Sequence, residues 1–362
     1  MGSNGLGQTR FSGGSENWRR GSAGPVPVGH GAPSTATAGE QLVYDVTVTI
    51  CTAGERGTLE ETLRSVVAQR LPPGCTIELL VVDNSRRTSD FVRFVVEEVA
   101  ADAAIPVRWV REPRPGLGFA RNAGIDAANG ELVAFLDDDA VADPTWAADL
   151  VAAYRETGAA VVGGRVDPIW EVERPAWLGD DLLGFLSILD YGPDRSLCRY
   201  PHYPFGVNIA FQRSLLVQLG GFNTALGGGG APTYLMDEIE LCTRIEQAGG
   251  QILYVPRARV RHLVPAGRTT RAFFLRRAAV LGRAAARVGW TAEGTQTPRS
   301  VAQLALCAKA EMQAAVRTVR HGARALVTLL TGREQEFVSQ SRHVVWNLSW
   351  MWETGLIAVK GS

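Results

Sequence analysis

The feature that most restricts the fold is an alternation that begins near residue 43, in which short β-rich runs are separated by stretches with helical spacing. Residues 46–50 (Val-Thr-Val-Thr-Ile) precede a helical pattern at Leu59, Leu63, Val66 and Val67. A second run at 77–82 precedes a helix at 91–99, a third at 107–110 precedes a helix at 119–128, and a fourth occupies 132–136. Strands and helices alternating at this spacing predict a parallel sheet covered by helices, an α/β domain. Ligands of such sheets bind beyond the carboxyl ends of the strands, so the residues there are the first candidates for function.

Three of the runs end in polar groups: Thr52, Gly54 and Glu55 after the first, Asp83-Asn84-Ser85 after the second, and Asp137-Asp138-Asp139 after the run that closes at Leu136. Side chains alternate along an extended backbone, so Asp137 and Asp139 face one way and Asp138 the other. Two carboxylates at the mouth of a sheet suit a hard divalent cation that also takes phosphate oxygens. Without a cation, clustered anions raise each other's cost. Arg121 and Asn122 open the helix before that strand, where a guanidinium reaches toward a nucleotide or diphosphate. Neither a dinucleotide fingerprint after the first strand nor a GxxxxGK[ST] phosphate loop is present.

Farther on, the glycine run 227–230 precedes Asp237-Glu238-Ile239-Glu240-Leu241, whose apolar spacing is helical. Acids at a helix start suit its positive end, and a loop ahead of a carboxylate pair is also what a closing active site uses. Consecutive helical residues point about 100° apart, which predicts that only one of Asp237 and Glu238 faces the cleft. His262 lies near the end of the second of two short strands expected at 251–255 and 259–264, and the aspartate triplet makes it a candidate metal ligand.

Taken in order, Val48-Thr49-Ile50-Cys51-Thr52, Val81-Val82-Asp83-Asn84-Ser85, Gly118 to Gly124 with Arg121-Asn122, Phe135-Leu136-Asp137-Asp138-Asp139, Asp237-Glu238-Ile239-Glu240-Leu241 and Val260-Arg261-His262 resemble family 2 glycosyltransferases over about residues 43–290. The resemblance implies a GT-A fold, a Rossmann-like nucleotide-binding sheet fused to an acceptor-binding half. It also implies inverting transfer of a sugar from a nucleotide-diphosphate donor, a UDP-sugar first among them, to a carbohydrate, lipid-linked or small-molecule acceptor. By the same resemblance Thr52, Glu55 and Asp83 border the nucleobase and ribose, Arg121 helps hold the nucleotide, and Asp137 and Asp138 lie along ribose and diphosphate. Asp139 and His262 would bind Mn2+ or Mg2+ in an Asp-x-Asp metal motif. The acid pair reads Asp-Glu where the family pattern reads Glu-Asp with the base second, so position favours Glu238 as catalytic base and Asp237 as a partner of the acceptor or of a loop. The spanning helices and Gln-x-x-Arg-Trp motif of processive members are missing, which favours transfer of a single sugar.

The net charge of zero hides an asymmetry: residues 41–264 carry 20 basic and 30 acidic side chains, residues 265–362 carry 14 and 5. Three regions follow: a Gly-rich leader at 1–42 expected to be disordered, a catalytic domain at 43–264, and a basic helical extension at 265–362. The extension is expected to pack on the acidic domain, to pair two subunits as a homodimer, or to make peripheral contact with an anionic membrane. Nucleic acid is not expected as a partner, because basic and aromatic groups form no recognised module. No apolar run is long enough to span a bilayer, and a cytoplasmic protein is the expectation, with the inner face of a membrane as the alternative place if the tail makes that contact. The five scattered cysteines predict reduced thiols. Two rivals stand beside the glycosyltransferase: a nucleotidyltransferase, and a non-catalytic sugar-nucleotide-binding protein if the reversed acid pair is inactive.

Overall fold

The computed structural model describes residues 28–29, 44–54, 57–86, 90–226, 236–292 and 301–360. Apart from Val28–Gly29 (β1), the leader lies outside the described residues, as do Glu55 and the 227–230 glycine run.

The first half is built as the alternation predicts. Strands β2 (Tyr44–Thr52), β3 (Ile77–Asp83), β4 (Val107–Arg111) and β5 (Gly130–Asp137) pair in parallel in the order β4-β3-β2-β5. Helices α1 (Leu59–Val67), α2 (Asp90–Ala101) and α3 (Leu117–Ala127) are their crossovers. The period-two pleat divides β3 between two cores: Leu79 and Val81 join the main core with α1 and α2, whereas Leu80 and Val82 pack with Ala120 of α3.

Beyond β5 the sheet turns mixed. Strand β9 (Asn208–Gln212) runs antiparallel between β5 and β7 (Val161–Trp170), and β10 (Ile252–Val264) lies parallel to β7. The short β6 (Ala140–Ala142) closes the edge against β10, which β8 (Ser196–Cys198) also joins. Helices α4 (Trp146–Thr157), α5 (Arg213–Gln218) and α6 (Asp237–Gln247) cover this half. Trp146 is fully buried and its indole N–H donates to Asn208 at 2.8 Å, so the largest core side chain leaves no orphan donor. The two strands expected at 251–255 and 259–264 are one: β10 runs through Pro256, and the missing proline N–H coincides with a register irregularity between Val255 and Val260.

Most aromatics between 166 and 203 serve packing. Trp177 meets Phe274 edge-on, Tyr203 is buried with its hydroxyl donating to Glu246, and Tyr191 packs on Tyr254. Cys75, Cys198 and Cys242 are buried and Cys51 is partly so, all as free thiols.

The basic extension forms three helices, α7 (Arg271–Ala292), α8 (Val301–Leu330) and α9 (Glu334–Lys360). Helix α7 packs on the sheet-bearing part of the chain through Phe274, which is fully buried against Trp177 and Phe185. Asp181 ties α9 to the same part through Ser339 and Arg342. Gly282 permits the close crossing of α7 on α9, where a Cβ would overlap the carbonyl oxygen of Trp346.

Candidate active site

Parallel register aligns the strand ends. Cys51 of β2 stands opposite Asp137 of β5, and Thr52 stands opposite Asp83 of β3. The Thr52 hydroxyl donates to Asp138 Oδ2 at 2.6 Å and accepts the Gly54 N–H at 3.0 Å. Asp83 is gripped by Arg111 at 2.7 Å and by the Ser85 N–H at 2.9 Å, so this buried carboxylate is compensated within the protein. Burial pushes the Cys51 thiol up to about 12, which makes it an inert neighbour.

The triplet divides by direction. Asp138 turns back to Thr52, while one carboxylate oxygen each of Asp137 and Asp139 and a ring nitrogen of His262 lie within 4.8 Å of one another. Strand β10 brings the imidazole there: His262 pairs with Ala140 of β6, and the Leu263 N–H donates to the Asp139 carbonyl at 2.9 Å. His262 Nδ1 lies 3.1 Å from the Leu186 carbonyl, to which only a protonated Nδ1 can donate. In the neutral ring that leaves the Nε2 lone pair directed at Asp139 Oδ1, 3.1 Å away. Two carboxylates and an imidazole whose tautomer is set by a backbone carbonyl are a donor set that fits Mn2+ or Mg2+.

Opposite this cluster sits a second one. Arg121 is buried and its Nη1 donates to Asp237 Oδ2 at 2.8 Å, with Glu238 Oε2 at 3.7 Å. Phe135 and Phe222 flank the guanidinium, and Gly206 leaves room for it, because a Cβ there would overlap Nη2. Both acids of the pair thus lie near one guanidinium, Asp237 in hydrogen-bond contact and Glu238 farther off. They occupy the first turn of α6, where the longer Glu arm curls back toward the same guanidinium. Burial and the adjacent Asp237 carboxylate push the Glu238 carboxyl up to about 7, and Arg121 offsets only part of this.

Two arginines that the motifs do not single out lie close to these acids. Arg268 Nη2 is 3.7 Å from Asp139 Oδ2. Arg277, from the second turn of α7, interacts electrostatically with both Glu238 and Asp137, and its Nε has no hydrogen-bond partner among the described residues. Burial and the like charge of Arg268 lower its basicity to about 10. The only sequence signal for either residue is the excess of arginine in the tail. Glu55 lies outside the described residues; of the others, Thr52 stands with Asp83 and Asp138, Asp137 and Asp139 converge with His262, and Arg121 joins Asp237 and Glu238 while also interacting with Asp137.

Comparison with known proteins decides the family. A family model for glycosyl transferase family 2 matches residues 47–220. The glucosyl-dolichyl phosphate glucuronosyltransferase of Haloferax volcanii is 31% identical over 221 residues, covering 60% of this chain and 68% of that one. The chain belongs to glycosyltransferase family 2. The succinoglycan biosynthesis protein ExoM of Rhizobium meliloti is 29% identical to this glycosyltransferase over 234 residues, covering 64% of this chain and 71% of that one. Among solved structures, the mannosyltransferase PcManGT of Pyrobaculum calidifontis, in complex with GDP-Man and Mn2+, superposes with a TM-score of 0.53 at 22% identity, over 85% of this chain and 87% of that chain. The fold of this glycosyltransferase is accordingly GT-A. As a glycosyltransferase it is not the nucleotidyltransferase considered from sequence.

Proposed function

We propose that this glycosyltransferase moves one sugar from a nucleoside-diphosphate sugar to an acceptor hydroxyl with inversion at the anomeric carbon, and that Glu238 is the general base. The observation that supports this most directly is the pairing of Asp237 with Arg121, which leaves Glu238 as the carboxyl with an affinity for protons near neutrality. A base of that strength suits proton transfer near neutral pH. It takes the acceptor hydroxyl proton as the new oxygen–carbon bond forms, while the bond from the anomeric carbon to the diphosphate oxygen breaks on the opposite face. Asp237, held by Arg121, fixes the direction of the pair and keeps the guanidinium from neutralising Glu238 outright.

Asp137, Asp139 and His262 would hold Mn2+ or Mg2+, which when bound supplies positive charge for the departing diphosphate. The imidazole in the set favours Mn2+. Arg268 lies beside Asp139 and Arg277 interacts with Asp137, and on this reading the two guanidiniums bind the diphosphate oxygens. Thr52 and Asp83, adjacent in register, border the nucleoside, and Asp138, fixed by Thr52, lines the path between them.

The acceptor is read as a lipid-linked sugar, because the Haloferax relative is a glucosyl-dolichyl phosphate glucuronosyltransferase. The experiment is a donor panel of UDP- and GDP-sugars with Mn2+, read as nucleoside diphosphate released, with polyprenyl-phosphate-linked and free glycans as acceptors. Release from one donor, increased by a lipid-linked glycan and lost in Glu238→Gln, is expected. No release from any donor would sink the reading and leave a non-catalytic binding protein.

A further inference from the structure

We propose that the outer face of α8 is a docking surface for an anionic lipid bilayer. The observation is an inversion of the ordinary surface-helix pattern. Met312, Val316, Val319, Leu326 and Leu330 recur at spacings of three, four or seven, which places them on one stripe, and each is more than half exposed, with Val319 at 73% and Leu330 at 77%. The opposite side of the helix, at Ala314, Ala325 and Thr328, is the buried one. A helix packed on a globular domain turns its apolar stripe inward and its polar residues out; from Met312 to Leu330, α8 buries small residues and leaves its large apolar groups outside.

Charge selects the occupant. Arg317, Arg320 and Arg324, all exposed, form a row beside the stripe at the same spacing, and residues 312–330 contain no Asp or Glu. If two copies met through the stripe, these rows would lie near one another with no acid in the segment to pair with them, whereas paired coiled-coil helices use opposite charges at such flanking positions. An apolar stripe edged by cations matches the boundary between acyl chains and anionic headgroups. The helix lies on that boundary rather than crossing it, since no helix among the described residues is long and apolar enough to span.

This inference stands apart from the proposed reaction, because its test needs neither donor nor acceptor. The full chain is floated with phosphatidylglycerol-rich vesicles and with pure phosphatidylcholine vesicles, at low and high salt. Binding to the anionic vesicles, weakened by salt, is expected. The triple variant Arg317→Gln, Arg320→Gln, Arg324→Gln and the double variant Val319→Glu, Leu326→Glu should each lose roughly tenfold or more in partitioning. Their thermal midpoints should stay close to that of the parent, since all five side chains are exposed. A parent that does not float with anionic vesicles overturns the proposal, and so does binding that both variants retain. Concentration-dependent dimers dissolved by Val319→Glu, Leu326→Glu, with no vesicle binding, would assign the face to a second copy instead.

Discussion

Arg121 Nη1 and Asp237 Oδ2 are 2.8 Å apart inside the protein, and this contact spans 116 residues of chain. It assigns unequal roles to adjacent acids. The carboxylate nearer the guanidinium is held in place, while its neighbour at 3.7 Å keeps a carboxyl that both burial and the first carboxylate make reluctant to ionise. It is on this ground that we propose the second position of the reversed pair, Glu238, as the base.

Replacing Glu238 by Gln would remove the proposed base while preserving shape. We expect transfer to fall by about 10²–10⁴-fold, the range for loss of a general base, with donor affinity nearly unchanged. Asp237→Asn should instead lower the thermal midpoint, because it removes the charged partner of a buried guanidinium, a loss on the order of 3–5 kcal/mol. Full activity in Glu238→Gln together with an inactive but stable Asp237→Asn would exchange the two assignments.

The pH dependence follows from the same carboxyl. A base acts when deprotonated, so kcat/KM should rise through a limb at about pH 7 and level off above it. Stability runs the other way. The folded Glu238 keeps its proton between its ordinary value of 4.5 and about 7, where the unfolded chain has released it, so folding weakens as pH rises across that window. Glu238→Gln carries no such proton. It should match the parent near pH 4 and exceed it near pH 8 by on the order of 1–3 kcal/mol. Thermal melts at the two pH values check the sign; a variant less stable than the parent near pH 8 contradicts it.

Chelation should stop transfer, and Mn2+ should restore it at lower concentration than Mg2+, because an imidazole ligand discriminates in favour of the softer ion. Asp139→Asn and His262→Ala should each weaken Mn2+ binding by at least about tenfold, read directly by calorimetric titration. Thr52→Val, which removes only the hydroxyl that orients Asp138, should leave Mn2+ affinity within a few fold. Full activity after exhaustive chelation would remove the cation from the account.

How much of this was open to reading from sequence depended on whether the interaction was local. The parallel half was legible because β2, β3 and β5 are short apolar runs separated by helical periods, and their carboxyl ends announced Thr52, Asp83 and Asp137. Strand β7 was not, since Gly163, Gly164 and Pro168 break its β pattern; its strand state comes from pairing with β10 and β9. The join of β10 through Pro256 was hidden for the same reason. The candidate site shows a similar division. The triplet was visible as composition at a strand end, but the convergence of Asp237 and Glu238 on Arg121, the carbonyl behind His262, and the approach of Arg277 from α7 are long-range placements that periodicity does not encode.

Arg277 carries the last expectation, one that separates stability from function. Its guanidinium is partly buried beside Arg268, with Nε lacking a hydrogen-bond partner among the described residues, and its basicity is lowered to about 10 by that burial and that neighbour. Burying such a cation costs stability in the free protein, and on the proposed reading a diphosphate is what it binds. Arg277→Gln should therefore leave the thermal midpoint of the free protein unchanged or higher, while raising the KM for the donor by roughly tenfold and abolishing most of the midpoint increase that nucleoside diphosphate and Mn2+ give the parent. Arg276→Gln, one position away and exposed, is the control and should behave as the parent does. A destabilised Arg277→Gln with unaltered donor KM would mean that the residue holds α7 in place rather than the diphosphate.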